Sequence, residues 1–327
     1  MKTTIALLLI AVLVTSCFDT TAPAKPATQV VPPPTIEPLG PPLFVVQVGG
    51  KDGFINREGE IVIEPTFQKA YPFRDGLAAV QVGGLWGFID TNGDFAIKPQ
   101  FIDVGLFSEG LVKVRVKAYT DPWGYVDKTG KMVIEPQYDC ADQFRNGIAM
   151  VGHQTSGSKV TSRIADVGIE CDYHFIDRTG AIVADPDPTH YASGEAGELI
   201  PFTKDGLVGY VNAQGEVVIQ PRFKAGMAFS DGLACALEDS LFGFIDKTGA
   251  WVISPRFAYA SNFSEGLAGV PLGAKGWGFI DKAGEIVIPA KFSWVYEGFR
   301  HGIAKVVVDG KSGYVDKQGN WVWRPGE

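Results

Sequence analysis

The 327-residue chain is poor in the side chains that enzyme active sites most often use. It has four histidines, and none stands at a metal-ligand spacing such as His-x-x-x-His with a nearby glutamate. Gly-x-Ser-x-Gly is absent, and glycine pairs such as Gly83-Gly84 do not lead into a predicted helix that would hold a phosphate. The sequence therefore predicts no catalytic residues, no metal site, no cofactor and no enzymatic activity.

Long apolar runs are also scarce, and the run near the N-terminus is too short to span a bilayer. It comprises the ten residues Ile5–Val14, which as a helix reach about 15 Å, half of the bilayer core. With Lys2 before it, this run is typical of a secretory signal peptide. We assign residues 1–16 to that signal and do not count them as structure.

A cysteine follows the apolar run. The segment Val14-Thr15-Ser16-Cys17 resembles a bacterial lipobox, in which the cysteine becomes the lipidated first residue of the mature protein and carries acyl chains such as palmitate. The alternative is an ordinary secretory signal that contains a cysteine. Residues 17–43 are rich in proline, which is typical of an extended tether with a reach of at most about 80 Å. The resemblance implies a protein of the cell envelope with a lipid anchor in the membrane.

Basic side chains are outnumbered by acidic ones. Removing residues 1–16 removes Lys2 alone, which leaves 28 basic against 37 acidic side chains and a net charge of −9. A net acidic surface argues against nucleic acid or anionic lipid as the partner.

The four cysteines have different predicted roles. Cys17 is the lipidation site, and Cys235 lies among small and apolar residues, where a buried thiol is expected. Cys140 and Cys171 are a candidate pair, because a disulfide between them would close a long connection in an oxidising compartment. The sequence leaves their pairing open, since it fixes neither their separation nor their direction.

One pentapeptide recurs along the chain. Trp86-Gly87-Phe88-Ile89-Asp90 returns at Trp123–Asp127 and Trp277–Asp281, each time followed by a turn glycine, an apolar run, a proline and an aromatic residue. Its second position recurs in steps of 34, 37, 50, 35, 34, 35 and 35 residues, at Gly53, Gly87, Gly124, His174, Gly209, Gly243, Gly278 and Gly313. Such a period predicts a repeat array. Unit four is irregular, because about fifteen extra residues precede His174.

The repeat resembles the bacterial WG-repeat (KWG-repeat) family. Its consensus is Trp-Gly-Phe-Ile-Asp, followed by Gly, Val-Ile, Pro, Phe and a second Phe before Gly-Leu-Ala, and it covers roughly residues 44–325. The resemblance implies a repeat protein commonly found at the cell envelope, with no defined reaction and no catalytic residues. We assign residues 44–327 to this β-repeat domain, with an irregular insertion around residues 152–200.

Each unit is predicted to form a three-stranded antiparallel meander. Asp90 opens the second hairpin turn, and Gly93 at its fourth position can adopt a positive φ. Pro65 and its equivalents are predicted to end the third strand. Runs such as Ile61-Val62-Ile63 are apolar on both faces, so neighbouring sheets are expected to cover them.

The predicted fold class is all-β, a tandem array of about eight three-stranded antiparallel meanders. An open array, curved or superhelical, and a closed β-propeller both stack sheet on sheet. The first unit begins with its own first strand at Leu43, and the last ends with its own third strand at Trp323. Because no strand is left over to join the ends, we favour the open array.

Candidate binding residues lie where the repeat varies. Two residues after the aromatic that follows the proline, the units carry Lys69, Asp103, Cys140, Ala225, Tyr259 and Trp294. Tyr259 and Trp294 would lie on adjacent units as a platform for a sugar ring or a partner side chain, unless they fill the core near the C-terminus. Unit four offers a second candidate at His190 and Tyr191, since long irregular loops often carry function.

These observations predict a membrane-anchored envelope protein whose β-repeat surface binds a protein or a cell-wall glycan without turnover. Two alternatives stay open. One is an envelope enzyme with a site at unit four, which would lose activity when His174, His190 or Asp187 is replaced. The other is a structural spacer, which would show neither an activity nor a retained partner.

Overall fold

The structure of the protein is a computed structural model that describes residues 42–154, 171–183, 198–212, 216–296 and 298–324. The predicted signal peptide (1–16), nearly all of the predicted tether (17–43) and much of the predicted insertion lie outside these residues. Those assignments stay predictions. The described residues form 29 strands and a short 3₁₀ helix, Gly273–Lys275.

The strands group into eight small sheets that follow one another along the chain. The first four sheets contain β1 (Phe44–Val48), β2 (Lys51–Ile55) and β3 (Ile61–Phe67); β4 (Lys69–Ala70), β5 (Ala78–Val82), β6 (Leu85–Ile89) and β7 (Phe95–Phe101); β8 (Asp103–Val104), β9 (Leu111–Arg115), β10 (Trp123–Asp127) and β11 (Met132–Tyr138); β12 (Cys140–Ala141), β13 (Ile148–Gln154), β14 (Cys171–Asp177) and β15 (Ile182–Val183). The other four contain β16 (Ile200–Lys204), β17 (Leu207–Val211) and β18 (Val217–Phe223); β19 (Ala225–Gly226), β20 (Ala234–Glu238), β21 (Leu241–Ile245) and β22 (Trp251–Phe257); β23 (Leu267–Pro271), β24 (Trp277–Asp281) and β25 (Ile286–Phe292); β26 (Trp294–Val295), β27 (Ile303–Val308), β28 (Lys311–Asp316) and β29 (Trp321–Trp323).

Every sheet contains the predicted three-stranded antiparallel meander, which confirms the all-β repeat fold. Five sheets have in addition a two-residue strand before the meander, namely β4, β8, β12, β19 and β26. In the second sheet, Lys69 and Ala70 pair with Gln81 and Val80. The variable position of the repeat therefore opens this short strand in the sheets that have one.

The predicted Asp-Gly turn is present in the second hairpin. The Asp90 carboxylate accepts the backbone N–H groups of Asn92 (2.9 Å) and Asp94 (3.0 Å), while Gly93 adopts a φ of 90°. Asp127, Asp177, Asp246, Asp281 and Asp316 make the equivalent bonds in their turns. These aspartates stabilise hairpins, which is the role that the fixed glycine offset predicts.

The prediction that proline ends the third strand is wrong. Strand β7 continues through Pro99 to Phe101, and its register with β6 shifts between the Phe88–Ile97 and Trp86–Phe101 pairs. This register shift is a β-bulge. Proline is tolerated there because the ladder of backbone hydrogen bonds is already interrupted, so its missing N–H removes no bond. The bulge approaches Gly87, at which an added Cβ would lie 2.6 Å from the Ile97 carbonyl oxygen. Close backbone approach thus explains the glycine of the Trp-Gly pair.

The eight sheets form a ring, so the domain is an eight-bladed β-propeller. Blade 8 packs against blade 1 through a buried cluster of Val46 and Ile55 with Ile303 and Tyr314. The Tyr314 hydroxyl donates a hydrogen bond of 2.9 Å to the carbonyl oxygen of Val45. The closed propeller, our alternative, is confirmed, and the preference for an open array is wrong. Side-chain packing joins the first and the last blade without a shared strand.

Consecutive blades are also joined by a recurring contact, which we call the seam bond. Glu265 precedes the turn glycine that opens blade 7, and its carboxylate accepts the N–H of Gly302, the equivalent glycine of blade 8, at 3.0 Å. Its partial burial acts to raise its pKa, but the bonds from Lys317 and Gly302 outweigh this and hold the pKa of Glu265 below its usual range. The same backbone bond joins Asp75 to Gly110, Glu109 to Gly147 and Asp231 to Gly266.

Candidate binding site

The tryptophans of the Trp-Gly pairs belong to the core. Trp86, Trp123 and Trp277 expose only 4%, 4% and 6% of their surface, respectively. They occupy the first or second position of the middle strand of their meander, opposite the aromatic that closes the third strand; Trp277, for example, pairs with Phe292. The tryptophan of the Trp-Gly pair is therefore a packing residue, and exposed binding groups must come from other positions.

The variable position supplies two exposed aromatic side chains. Tyr259 follows β22 and exposes 42% of its surface, and Trp294 is the first residue of β26 and exposes 40%. Each comes two residues after a buried phenylalanine, Phe257 or Phe292, that anchors the end of the third strand. In a continuous strand, residues two apart would share a face, but the chain bends at Ala258 and at Ser293, so the anchor is buried while the aromatic two residues later is exposed.

Tyr259 and Trp294 are in contact across blades. Their ring centroids lie 5.8 Å apart with the planes tilted by 42°. Trp277 lies against both, 5.6 Å from Tyr259 and 4.6 Å from Trp294, and Phe242 lies 5.9 Å from Tyr259. We call these four residues the aromatic surface. Within this surface, Trp277 is buried beneath Tyr259 and Trp294, so the two exposed rings rest on a rigid support.

The aromatic surface offers flat apolar faces next to polar edges. Tyr and Trp provide large contact area with few rotatable bonds, and their ring faces pack against sugar rings, other aromatics and cations. Tyr296 directly follows β26, the short strand that Trp294 opens. It is 57% exposed, and the Lys305 ammonium lies 5.6 Å from its ring centre. The arrangement is suited to holding a ligand, and it contains no nucleophile or acid–base pair.

Blade 3 has charged residues at the equivalent positions. Asp103 opens β8 where Trp294 opens β26, and it lies opposite Arg115, which forms a 3.4 Å ion pair with it. The guanidinium of Arg115 lies 4.0 Å from the centre of the Trp123 ring, and the Lys113 ammonium lies 4.5 Å from it. We call Asp103, Lys113 and Arg115 the charged group. The same backbone thus presents aromatic rings in blades 6 to 8 and charges in blade 3.

The other predicted site residues fall into two sets. Cys140 and Cys171 are joined by a disulfide with their Cα atoms 6.5 Å apart, which ties β12 to β14 in blade 4. His190, Tyr191 and the lipidation candidate Cys17 lie outside the described residues, so their roles stay predictions. Within the described part of the chain, no group of three or more His, Cys, Asp or Glu side chains is placed to hold a metal ion.

Titratable groups with strongly shifted pKa values are structural. Burial raises the pKa of the Cys235 thiol to about 12, and this free cysteine is buried as predicted. Burial also raises the pKa of Tyr125 and of Tyr210. Their hydroxyls donate to the carbonyl oxygens of Asp142 (2.7 Å) and Met227 (3.0 Å), where the chain enters the next blade.

The sequence analysis does not predict two features of these sites. The repeat pattern identifies Trp277 as a motif residue but not as the side chain that joins Tyr259 to Trp294. The charged group was missed because Lys113 and Arg115 lie on a different strand from the variable position. Their alternation along β9, with the charged residues two apart, was the available signal, since such residues share one face of a strand.

The family model described as a WG containing repeat matches residues 53–86, 86–118, 123–152, 209–241, 242–275 and 277–311. This chain belongs to the WG-repeat family. The matches omit the segment between residues 152 and 209, which is the irregular stretch of the sequence. No curated protein matches this WG-repeat chain. In its described part, no helix is both long and apolar enough to cross a membrane.

Solved structures similar to this WG-repeat protein share little sequence with it. The computationally designed Ika8 protein is 13% identical, with 88% of this chain and 92% of that one covered at a TM-score of 0.41. BamB from Moraxella catarrhalis is 12% identical, with 86% and 90% covered at a TM-score of 0.43. A eukaryotic initiation factor is 11% identical, with 88% and 85% covered at a TM-score of 0.44.

Proposed function

We propose that this protein is a lipid-anchored binding protein of the cell envelope, and that the aromatic surface holds a protein or cell-wall glycan without turnover. The observation that carries the proposal is the contact between Tyr259 and Trp294, each about two-fifths exposed, on adjacent blades. Exposed large aromatics in contact with each other are a feature of binding sites, because they leave apolar area in water until a partner covers it.

The support beneath the two rings favours binding over incidental exposure. Trp277 is almost fully buried and contacts both rings, so little side-chain freedom remains to be lost when a partner docks. Aromatic side chains held in this way dominate the energetics of many interfaces. A partner with flat apolar faces, such as a sugar ring or an apolar side chain, matches this surface.

The proposed localisation in the cell envelope rests on the sequence. The short apolar run Ile5–Val14 followed by Cys17 resembles the signal of a bacterial lipoprotein, and the proline-rich residues 17–43 would hold the propeller away from the lipid. We expect Cys17→Ala to release the protein from membranes, measured by fractionation. Incorporation of labelled fatty acid into this variant would contradict the assignment of Cys17.

The binding proposal is tested by retention on native envelope material. Immobilised full-length protein and a Tyr259→Ala/Trp294→Ala variant are incubated with isolated cell walls and, separately, with solubilised envelope proteins. We expect the double variant to lose a partner that wild type retains, because both ring faces are gone. Phe95→Ala is the matched control, since Phe95 is also 42% exposed but lies outside the aromatic surface.

The outcomes separate the alternatives. Equal retention by wild type and the double variant would place binding elsewhere on the propeller. Consumption of a retained molecule, lost on replacing His174, would indicate the envelope enzyme. A wild-type protein that retains nothing from either preparation would favour the structural spacer.

A further inference from the structure

The contact between blade 8 and blade 1, which we call the closing seam, lacks the seam bond. His301 occupies the position that holds Asp75, Glu109, Asp231 or Glu265 in other blades, with the same left-handed φ of 51°. Pro42 occupies the position of the donating turn glycine, as the equivalent pairing of Phe44 with Ile55 and Ala78 with Ile89 shows. Since proline has no N–H, both the acceptor and the donor of the seam bond are replaced.

The cation of the seam is retained, however. In two of the regular seams, the lysine that follows the turn Asp reaches an acid at the start of the preceding blade. Lys317 lies 3.1 Å from Glu265, and Lys282 lies 3.9 Å from Asp231. Arg57 follows the turn residue Asn56 of blade 1, so it occupies the same position at the closing seam. Across this seam, the position that holds the acid in the regular seams holds His301.

A cavity of about 630 Å³ lies at this seam, and its walls include Arg57, His301 and Lys317. A cavity of this size is in the range of small-molecule sites. The cavity is open and partly polar, so an ionic ligand can enter without complete loss of its water. Arg57 of blade 1 and His301 of blade 8 line it from neighbouring blades, which places a guanidinium and an imidazole on the wall of one open cavity.

The acidic side chains of the cavity wall are already engaged. Glu265 accepts from Lys317 and from Gly302. Asp316 accepts the backbone N–H groups of its own turn at 2.8–2.9 Å. Glu58 pairs with Arg57 at 3.0 Å, but both side chains are more than half exposed, and exposed pairs of this kind contribute little. Arg57 is therefore able to exchange Glu58 for a better-placed anion.

We propose that the closing seam binds a small organic acid, whose carboxylate lies between Arg57 and His301. The ligand supplies the negative group that a side chain of the protein supplies in the regular seams. Arg presents a planar fork of donors that matches a carboxylate, and His has an N–H to donate in either protonation state. The site is separate from the aromatic surface and does not depend on the proposed function.

The test measures binding of succinate to full-length protein by isothermal titration calorimetry at low salt. We expect saturable binding that weakens as ionic strength rises, and no binding of succinamide, which has the same skeleton without charge. Arg57→Gln is expected to weaken succinate binding about tenfold or more, since it removes a charge-assisted hydrogen bond. Arg57 is largely exposed, so this variant is expected to fold.

A rebuilt seam provides the sharpest comparison. His301→Glu restores the acid found in the other blades, so we expect it to pair with Arg57, to abolish succinate binding and to raise the melting temperature. Lys282→Gln in a regular seam and Tyr259→Ala/Trp294→Ala are the controls, and both are expected to bind succinate as wild type does. The proposal is overturned if wild type does not bind succinate, if succinamide binds equally well, or if Arg57→Gln and His301→Glu bind unchanged.

Discussion

Blade 3 and blades 6 to 8 have the same backbone arrangement but present different side chains on it, charged ones in blade 3 and aromatic ones in blades 6 to 8. The fifth residue of the first meander strand is Arg115 in blade 3, Pro271 in blade 7 and Val307 in blade 8. The variable position opposite or beside it holds Asp103 in blade 3 and Trp294 in blade 8. In blade 3 the charges cover Trp123, whereas in blade 7 the neighbouring aromatics cover Trp277.

The difference shows how a repeat separates stability from recognition. Turns, bulges and buried phenylalanines recur because the backbone requires them, so they cannot distinguish one face of the ring from another. The residues above each buried tryptophan are free to vary, because they cover the core without filling it. The ligand preference of such a propeller is therefore expected to lie in these covering residues.

The largest expected effect is the difference in stability between variants of the buried Trp277 and of the exposed Trp294. Trp277→Ala should lower the free energy of unfolding by about 3–5 kcal/mol, because it leaves a cavity under the aromatic surface. Trp294→Ala should cost less than about 2 kcal/mol, since much of that side chain is already in water. Urea denaturation of both variants measures the difference, and equal losses would mean that Trp294 is a core residue.

The charged group should stabilise blade 3 through a cation–π contact. Arg115→Ala should cost about 2 kcal/mol, because the guanidinium is largely buried over Trp123 and paired with Asp103. Arg115→Lys should recover only part of this, since an ammonium lacks the planar fork that serves both partners. Full recovery in urea denaturation would show that charge alone is needed there.

The smallest effect concerns the turns, which both regions share. Hydrogen bonds from the hydroxyls of Thr129 and Thr248 hold the pKa values of Asp127 in blade 3 and Asp246 in blade 6 below the usual range. A lowered folded-state pKa contributes stability above the unfolded value of about 4, and this stability is lost as pH falls through the folded value. Below about pH 4, wild type should therefore lose stability that Asp127→Asn and Asp246→Asn lack to begin with.

The two turn variants sharpen the comparison as matched partners. Asn56 and Asn212 already make the same turn bonds in blades 1 and 5, so neither substitution should unfold the protein. We expect the two variants to behave alike in thermal melts from pH 3 to pH 7. A marked difference between them would show that the turns are not equivalent in the two regions.

Local features of the propeller were predictable from the sequence. The hairpin at Asp90 and Gly93 follows from turn chemistry, and the burial of Cys235 follows from its apolar neighbours. The seam bond was also within reach, because Asp75, Glu109 and Glu265 each stand directly before the glycine that opens a blade. The pattern does not by itself name the partner of each acid, which lies about 35 residues away in the next repeat.

Ring closure and side-chain exposure were not predictable in the same way. The hydroxyl of Tyr314 donates to Val45, 269 residues away, whereas those of Tyr125 and Tyr210 donate to carbonyl oxygens only 17 residues further along the chain. A pattern of local repeats predicts the short-range bonds but not the one that closes the ring. The bulge at Pro99 depends on a register shift that composition does not encode. Trp277 and Trp294 are the same residue type, and only their places in the blade decide that one is buried and the other exposed.

Iodide quenching of tryptophan fluorescence tests most directly whether the aromatic surface faces solvent. The measurement compares the quenchable fraction of wild type with that of Trp294→Phe, since the remaining tryptophans contribute equally to both. We expect the variant to lose a quenchable, red-shifted component, because Trp294 is the exposed ring above buried Trp277. A Trp294 contribution that is blue-shifted and shielded from iodide would contradict an exposed aromatic surface in the unliganded protein.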